Sequence, residues 1–180
     1  MSRLPPILSS HDLPEVELNA ARLDGEVFRV GDAYAPVDEI ARERHRAAAV
    51  SIGIPPRLIA EQHTAAWVWG ALSAPPRHHR FCVEVGARVR VPGVPWMSVR
   101  EVVLTDADLA TIGSLRLTTP LRTAVDLARF SADFGISEAR VVRELLAIGQ
   151  IDETQWRRHI ESRRNLPNKR QAIERLSGCG

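Results

Sequence analysis

The chain has 180 residues, of which 44% are hydrophobic and 26% are charged. This balance is typical of a globular protein and argues against a disordered or fibrous chain. No apolar run approaches the roughly 20 residues that a membrane-spanning helix requires, and no signal peptide pattern opens the chain, so we expect a cytoplasmic protein with no membrane partner.

The formal net charge is only +2, but it is distributed unevenly along the chain. Residues 156–180 hold seven basic and two acidic side chains. Such a segment can contact a polyanion or an acidic partner protein, and it can equally be the solvated face of a helix. The candidate nucleic-acid contacts in this segment are Arg157, Arg158, Arg163, Arg164, Lys169 and Arg170.

The first predicted elements are a helix and a hairpin. Asp12 is a candidate helix N-cap, with Pro14 in the first turn. The apolar residues that share one face of this helix, and that we expect to be buried, are Val16, Ala20 and Leu23. Residues 26–30 then alternate as a strand, and Gly31-Asp32 predicts a turn into a second strand at 33–35.

Two further helices are predicted before the next strands. The first covers about 38–52, and its inward-facing residues are Ile40, Ala47, Ala48 and Ile52. After Pro55-Pro56, a short extended segment leads into a helix over 63–72. This helix is too apolar to lie at the surface, so we expect Trp67 and Trp69 in or beside the core.

From Arg80 the hydrophobic periodicity changes to two, which predicts strands at 80–85, 88–91 and 97–104. Two shorter strands are predicted around 110–112 and 115–117. Together these strands predict one mixed or antiparallel sheet. Asp106 and Asp108 lie in a predicted loop between strands, where solvated turn residues are the expectation.

The last third of the chain is predicted to be helical. Thr119-Pro120 is an N-cap followed by proline at the first helical position, and the buried stripe of the helix comprises Leu121, Ala124, Val125 and Ala128. Further helices are predicted over 137–148, 152–163 and 168–178. The sequence therefore predicts an α+β protein: an N-terminal helix-hairpin unit, a central sheet with flanking helices, and a helical C-terminal region.

The commonest catalytic motifs are missing from the sequence, namely a glycine-rich phosphate loop, a Gly-x-Ser-x-Gly elbow and a His-Glu-x-x-His pair. His78, His79 and Cys82 have the right chemistry for zinc, but neighbouring strand residues point to opposite faces and no second ligand pair follows. We therefore expect no enzyme activity, catalytic residues, metal or cofactor.

Three stretches resemble a known family when they are taken in order. They are His-Thr-Ala-Ala-Trp-Val-Trp-Gly at 63–70, the strand at 80–85, and Leu-Thr-Thr-Pro-Leu-Arg-Thr-Ala-Val-Asp-Leu-Ala-Arg at 117–129. Over about residues 55–150 the chain resembles actinobacterial AbiEi-family antitoxins, as a shortened member. The residues that carry this motif are Thr64, Ala65, Ala66, Trp69, Gly70, Thr119, Pro120, Arg122, Thr123 and Asp126.

The resemblance implies an antitoxin of a type IV toxin-antitoxin system. Such a protein counteracts a nucleotidyltransferase-like toxin and represses its own operon through an N-terminal winged helix. We expect 1–54 to be a reduced winged-helix-like unit and 55–180 to be the antitoxin core with C-terminal helices. A full winged helix needs about three helices and a hairpin, and residues 12–35 supply only one helix and one hairpin. The candidate partners are the toxin and operator DNA, and the alternative is a DNA-binding transcriptional regulator without a toxin partner.

Three further residues are candidate contacts to DNA or to a partner protein because of their predicted positions. Arg29, on the predicted hairpin, is the best wing-like contact to DNA. Trp96 follows Pro95 in a predicted loop and is a candidate anchor for a partner protein. Trp156 can play the same part, or can dock its helix onto the body of the protein.

Arg122 and Asp126 lie one helical turn apart and can pair. An exposed pair of this kind contributes only about 0.3 to 0.5 kcal/mol, so the expected role of the pair is structural. Arg122 also lies in the first turn, where its charge opposes the helix dipole. A buried carboxylate or carbonyl elsewhere is one way to hold it there.

Overall fold

The computed structural model of the chain describes residues 6–38, 42–87 and 93–179. The chain divides into two compact units, one of Met1–Pro56 with Ile112–Leu115 and the other of Arg57–Thr111 with Arg116–Gly180. The predicted strand at 88–91 and the predicted inward-facing Ile40 lie outside the described residues.

The N-terminal unit contains a helix, a hairpin and a second helix. In order they are α1 (Glu15–Leu23), β1 (Val27–Val30), β2 (Ala33–Pro36) and α2 (Glu43–Ser51). β1 pairs with β2 in antiparallel register, and Val30 faces Ala33 across the turn. Gly31 has a φ of 63° in this turn, a left-handed conformation that favours glycine. The predicted hairpin is confirmed.

The predicted buried face of α1 is wrong. Val16 is 80% exposed and Leu23 is 76% exposed, and Ala20 is exposed as well. Leu18 instead packs into a small core with Leu8, Val27 and Tyr34. The helix carries two apolar stripes, and the hairpin covers the one that contains Leu18. The predicted N-cap is wrong too, because the Asp12 carboxylate accepts from the Ser9 backbone N–H at 2.9 Å and the helix begins at Glu15.

Helix α2 begins later than predicted, at Glu43. Ala47 is buried, as expected, but Ala48 and Ile52 are only partly buried. His45 and Val50 complete the buried face of the helix.

A five-stranded mixed sheet contains the remaining strands. They are β3 (Ile59–Ala60), β4 (His79–Glu84), β5 (Met97–Val102), β6 (Leu109–Ile112) and β7 (Leu115–Thr118). Their order across the sheet is β5-β4-β3-β7-β6. β3 is antiparallel to β4 and parallel to β7, and β4 is parallel to β5. The prediction of a mixed sheet is confirmed.

Five helices complete the second unit: α3 (Gln62–Trp69), α4 (Pro120–Phe130), α5 (Ile136–Ile148), α6 (Glu153–Glu161) and α7 (Lys169–Ser177). Helix α4 contacts all the other four. Every residue of α4 from Arg122 to Arg129 is therefore buried, which includes charged side chains as well as the predicted apolar stripe. The architecture is α+β, as the sequence predicts.

Local sequence features fix the ends of these helices. Thr119 Oγ1 accepts from the Arg122 backbone N–H at 3.3 Å, and Pro120 occupies the first turn. Gly70 ends α3 with a φ of 97°, which an L-residue adopts only with strain. The Asp152 carboxylate accepts from the Gln155 backbone N–H at 2.7 Å at the start of α6. The predicted caps at Thr119 and Asp152 are confirmed.

The tryptophans of the helices pack inward. Trp67 is buried, and Trp69 Nε1 donates to the Thr118 carbonyl at 2.9 Å. Trp156 is 3% exposed and lies in the helical core with Ile160 and Leu176. Within the described part of the chain, no helix combines the length and apolar character that crossing a membrane requires.

Candidate functional site

Three arginines surround the buried carboxylate of Asp126. Arg122 Nε donates to it at 2.9 Å, and Arg129 Nη1 donates at 2.8 Å. Arg100 Nη2, from β5, approaches the same group at 3.5 Å. Arg122, Asp126 and Arg129 are at positions i, i+4 and i+7 of α4, so they share one face of the helix.

Asp108 forms a second centre, immediately before β6. Its carboxylate accepts from the Thr105 backbone N–H at 2.9 Å and from Arg122 Nη1 at 3.2 Å. Arg163 Nη2 also donates to it. Burial alone would raise the pKa of Asp108, but the hydrogen bonds from Arg163 and Thr105 and the charge of Arg122 hold that pKa below its usual value. Asp108 is therefore ionised at neutral pH.

The prediction that Asp106 and Asp108 are both solvated turn residues is wrong for Asp108. Asp106 is exposed, whereas Asp108 is buried. The Thr105 Oγ1 hydroxyl donates to the Asp108 carboxylate at 3.0 Å, which folds the turn back on itself. This local turn directs the carboxylate toward α4.

Glu61 forms a third centre at the start of α3, where Arg100 donates to both of its oxygens at 2.7 Å. This is the bidentate geometry in which guanidinium-carboxylate pairs are strongest. Burial raises the pKa of Glu61, while the hydrogen bond and charge of Arg100 oppose that rise. For Arg100 the balance is reversed: burial lowers its pKa, but the bonds to Glu61 raise it overall, so the guanidinium stays charged.

Arg122 connects the centres at Asp108 and Asp126. It is only 4% exposed, and its Nη1 also donates to the Val103 carbonyl at 3.3 Å. The prediction of a weak exposed pair is therefore wrong. The predicted alternative, a buried carboxylate or carbonyl that holds Arg122 in the first turn, is confirmed by Asp108 and Val103. Removal of one partner from a buried pair typically costs about 3 to 5 kcal/mol.

The linked residues form an arginine–carboxylate network, whose members are Glu61, Arg100, Asp108, Arg122, Asp126, Arg129 and Arg163. His159, on α6, lies beside this network. Its Nε2 is 3.7 Å from Asp108 Oδ1 and has no hydrogen-bond partner among the described residues. Burial, followed by the nearby charge of Arg163, lowers the pKa of His159 to about 4. The imidazole is therefore neutral at neutral pH and adds no charge to the network.

A cleft of about 600 Å³ opens beside the network. Its charged lining consists of five arginines and one glutamate: Arg100, Arg122, Arg129, Arg163, Arg164 and Glu101. Phe130, Val103 and Leu166 contribute apolar surface. The network therefore forms one wall of a cleft in which cations outnumber anions.

The structure separates the predicted C-terminal contacts into internal and exposed groups. Arg163 pairs with Asp108 and its side chain is 20% exposed, so its contact with nucleic acid stays a prediction. Arg157 pairs with Glu153 and lies over the Trp156 ring at 4.7 Å. Lys169 is partly buried, and the exposed members of the set are Arg158, Arg164 and Arg170.

The remaining predicted contacts lie in different places. Arg29 is exposed on the hairpin and pairs with Asp32 at 3.3 Å. Trp96 is 41% exposed and makes an edge contact with His79. Trp156 is buried, so of its two predicted roles the structure shows the docking of α6 and contradicts the exposed partner anchor.

The side chains of His78, His79 and Cys82, which have the chemistry of zinc ligands, have separate partners and environments. His78 Nδ1 lies 3.1 Å from the Pro95 carbonyl, and His79 Nδ1 lies 3.3 Å from Thr64 Oγ1. Cys82 is buried in the sheet, where burial raises the pKa of its thiol. Over the described ranges, no cluster of three or more histidine, cysteine, aspartate or glutamate side chains could hold a metal ion.

Several residues of the family motif make hydrogen bonds or are buried in α3 and α4. Thr64 Oγ1 accepts from the Arg80 backbone N–H at 2.8 Å, which joins α3 to β4. Ala65 and Ala66 are fully buried. Thr123 Oγ1 donates to the Thr119 carbonyl at 2.8 Å.

Sequence reasoning missed Glu61, Arg100 and Arg129 as members of the network, and it missed His159 beside the network. One signal was available: the charged residues of α4 recur at helical spacing on one face of an otherwise apolar helix. Arg100 and His159 give no comparable signal, because their partners are distant in the sequence.

Comparison with known proteins supplies the family. A family model described as the AbiEi antitoxin C-terminal domain matches residues 58–175, which include the whole network and the cleft. The crystal structure of the RV2827C protein from Mycobacterium tuberculosis is similar in fold, with a TM-score of 0.53 and 18% identity over 98% of this chain and 73% of that chain. No curated protein matches the chain. Because the family model covers well over half of the sequence, the chain belongs to the AbiEi antitoxin family.

Proposed function

We propose that this chain is the antitoxin of a type IV toxin-antitoxin pair and counteracts a nucleotidyltransferase-like toxin. The observation that carries the proposal is the family match over residues 58–175. We further propose that residues 1–54 act as a reduced winged-helix-like unit and that the protein represses its own operon.

The charge network supports a binding role without a catalytic step. Among the residues that the structure describes, Glu61, Asp108 and Asp126 have buried carboxylates, and all three accept hydrogen bonds from arginines. Loss of either partner of such a buried pair destabilises the fold, and a carboxylate held in this way is poorly placed to act as a general base. We propose that the network fixes the surfaces that meet the partner, with Trp96 as one exposed anchor.

Growth rescue tests the antitoxin proposal. The toxin encoded beside this gene is expressed from one inducible plasmid and the antitoxin chain from another, and colony growth is counted. We expect the wild-type chain to restore growth, and we expect Trp96→Ala to weaken rescue without lowering the amount of soluble protein. Arg140→Gln, an exposed change on α5, is the matched control. Toxicity that persists when the wild-type chain is present at high soluble levels would contradict the proposal.

A DNA-binding regulator without a toxin partner is the second candidate. The exposed cations Arg158, Arg164 and Arg170 favour it, because phosphate contacts need accessible positive charge. The test is the affinity for the DNA upstream of the gene as a function of salt. We expect Arg158→Gln to reduce the slope of log K against log salt by about 1, and Arg140→Gln to leave it unchanged. A flat salt response would exclude phosphate contacts.

A further inference from the structure

Some guanidinium nitrogens of the arginines that line the cleft donate no hydrogen bond to the network carboxylates. Arg122 and Arg129 line the cleft although they are only 4% and 5% exposed. Arg122 engages its partners through Nε and Nη1, and Arg129 donates through Nε to the Pro167 carbonyl and through Nη1 to Asp126. Nη2 of each arginine has no hydrogen-bond partner among the described residues.

These two nitrogens are also accessible. Among the described residues, His159 Nε2 is the one buried side-chain nitrogen or oxygen that lacks a partner. Nη2 of Arg122 and of Arg129 must therefore reach solvent, and the cleft is the opening that both side chains line. The result is a pair of fixed N–H donors on buried cations, which is the arrangement that binds an oxyanion with little loss of side-chain entropy.

The charge of the cleft favours an anion. The network carboxylates are already engaged by arginines, and Glu101 is exposed at the edge. Arg164 adds an exposed guanidinium that makes no hydrogen bond or ion pair with any residue the structure describes. An incoming anion therefore meets one exposed and two buried guanidinium groups.

The size and apolar wall of the cleft favour more than a bare anion. A volume of about 600 Å³ lies within the range of roughly 300 to 1,000 Å³ that is usual for small-molecule sites. Phe130 is partly exposed, and the guanidinium carbons of Arg100 and Arg129 lie 4.6 and 4.4 Å from its ring centre. These two groups already lie over the ring, so a nucleobase meets the exposed part of Phe130 together with the planes of the guanidinium groups, and both kinds of surface favour stacking.

We propose that this cleft binds a nucleotide. Arg122, Arg129 and Arg164 hold its phosphate groups, and the base lies against the surface that Phe130 forms. The phosphate belongs either to a free nucleotide or to the 5′ end of a nucleic-acid strand. The proposal does not depend on the identity of the toxin.

Calorimetric titration of the full chain tests the proposal. The probes are ATP, GTP, CTP, UTP and inorganic pyrophosphate, each up to about 1 mM. We expect at least one nucleoside triphosphate to bind with a stoichiometry of one. Arg164→Gln should weaken that binding by about 3- to 10-fold, because one charged hydrogen bond is lost at an exposed site. Arg140→Gln should not change it.

Two further measurements test the proposal. The first distinguishes contacts to the base from contacts to the phosphate, and the second distinguishes a free nucleotide from the 5′ end of a strand. Phe130→Leu should weaken binding of the nucleoside triphosphate but leave pyrophosphate unchanged, with thermal melting as the check on folding. Tighter binding of a 5′-phosphorylated oligonucleotide than of its 5′-hydroxyl form and of the triphosphates would place the phosphate at a strand end. The proposal is overturned by no binding of any probe, by equal effects of Arg164→Gln and Arg140→Gln, or by an effect of Phe130→Leu on pyrophosphate as large as on the triphosphate.

Discussion

Asp106 and Asp108 are two residues apart in the sequence but lie in opposite environments. Asp106 is exposed in the turn, whereas Asp108 accepts hydrogen bonds from Arg122 and Arg163. Sequence patterns describe both as turn residues because the arginine partners of Asp108, Arg122 and Arg163, lie far along the chain. The burial of one carboxylate rather than the other is set by tertiary structure.

Substitution of these two aspartates tests that difference. Asp108→Asn keeps the size of the side chain but leaves Arg122 and Arg163 without their carboxylate, so we expect a loss of about 3 to 5 kcal/mol in the free energy of unfolding. Asp106→Asn should change it by less than about 0.5 kcal/mol. Urea denaturation monitored by tryptophan fluorescence measures both. Equal effects of the two changes would refute the buried role of Asp108.

His159 predicts a pH dependence of stability. Its folded-state pKa of about 4 lies below the ordinary value of 6.5, since burial and Arg163 outweigh the attraction of Asp108. The unfolded state therefore gains protons first as the pH falls, and the contribution of His159 to stability is lost between about pH 6.5 and 4. From pH 7 to pH 5 we expect it to cost roughly 2 kcal/mol.

The matched variant is His159→Gln, which cannot titrate. Its unfolding free energy should fall less between pH 7 and pH 5 than that of the wild type, as measured by urea denaturation at each pH. Parallel pH profiles for the two proteins would show that the imidazole is not held neutral.

At the scale of elements, helix α4 shows what sequence can and cannot predict. Thr119-Pro120 correctly predicts where the helix begins, because capping depends on neighbouring residues. The apolar stripe is also correctly predicted to be buried. The charged face of Arg122, Asp126 and Arg129 would be assigned to solvent by the same pattern, yet it is buried because β5 and the turn before β6 supply its partners.

Two tryptophans test how the C-terminal helices dock. Trp156→Ala should cost about 3 to 5 kcal/mol, because Trp156 fills the core between α4, α6 and α7. Trp96→Ala removes an exposed ring and should cost less than about 1 kcal/mol. Thermal and urea unfolding compare the two variants. A loss for Trp156→Ala as small as that for Trp96→Ala would mean that α6 does not depend on Trp156 for its attachment.

At the scale of the whole molecule, the two units differ in how much the sequence predicts. In the N-terminal unit, the hairpin depends on neighbouring residues and is correctly predicted, whereas the buried face of α1 is predicted wrongly. In the second unit, the sequence predicts the positions of strands. It does not predict their order, β5-β4-β3-β7-β6, because that order depends on long-range pairing. A winged-helix-like role for residues 1–54 stays a prediction.

The arginine–carboxylate network connects several elements of the second unit. Its members come from the start of α3, from β5, from the turn before β6, from α4, and from the residues that follow α6. The family motif contributes Arg122 and Asp126 at the centre of this network. We infer that the motif residues keep the antitoxin domain folded and hold the cleft in shape.

A double-mutant cycle at Arg122 and Asp126 tests this claim most directly. The free energies of unfolding are measured by urea denaturation for the wild type, Arg122→Gln, Asp126→Asn and the double variant. A buried pair at the centre of the network predicts a coupling of about 2 to 3 kcal/mol between the two side chains. A coupling below about 0.5 kcal/mol, the value of an exposed helical pair, would contradict it.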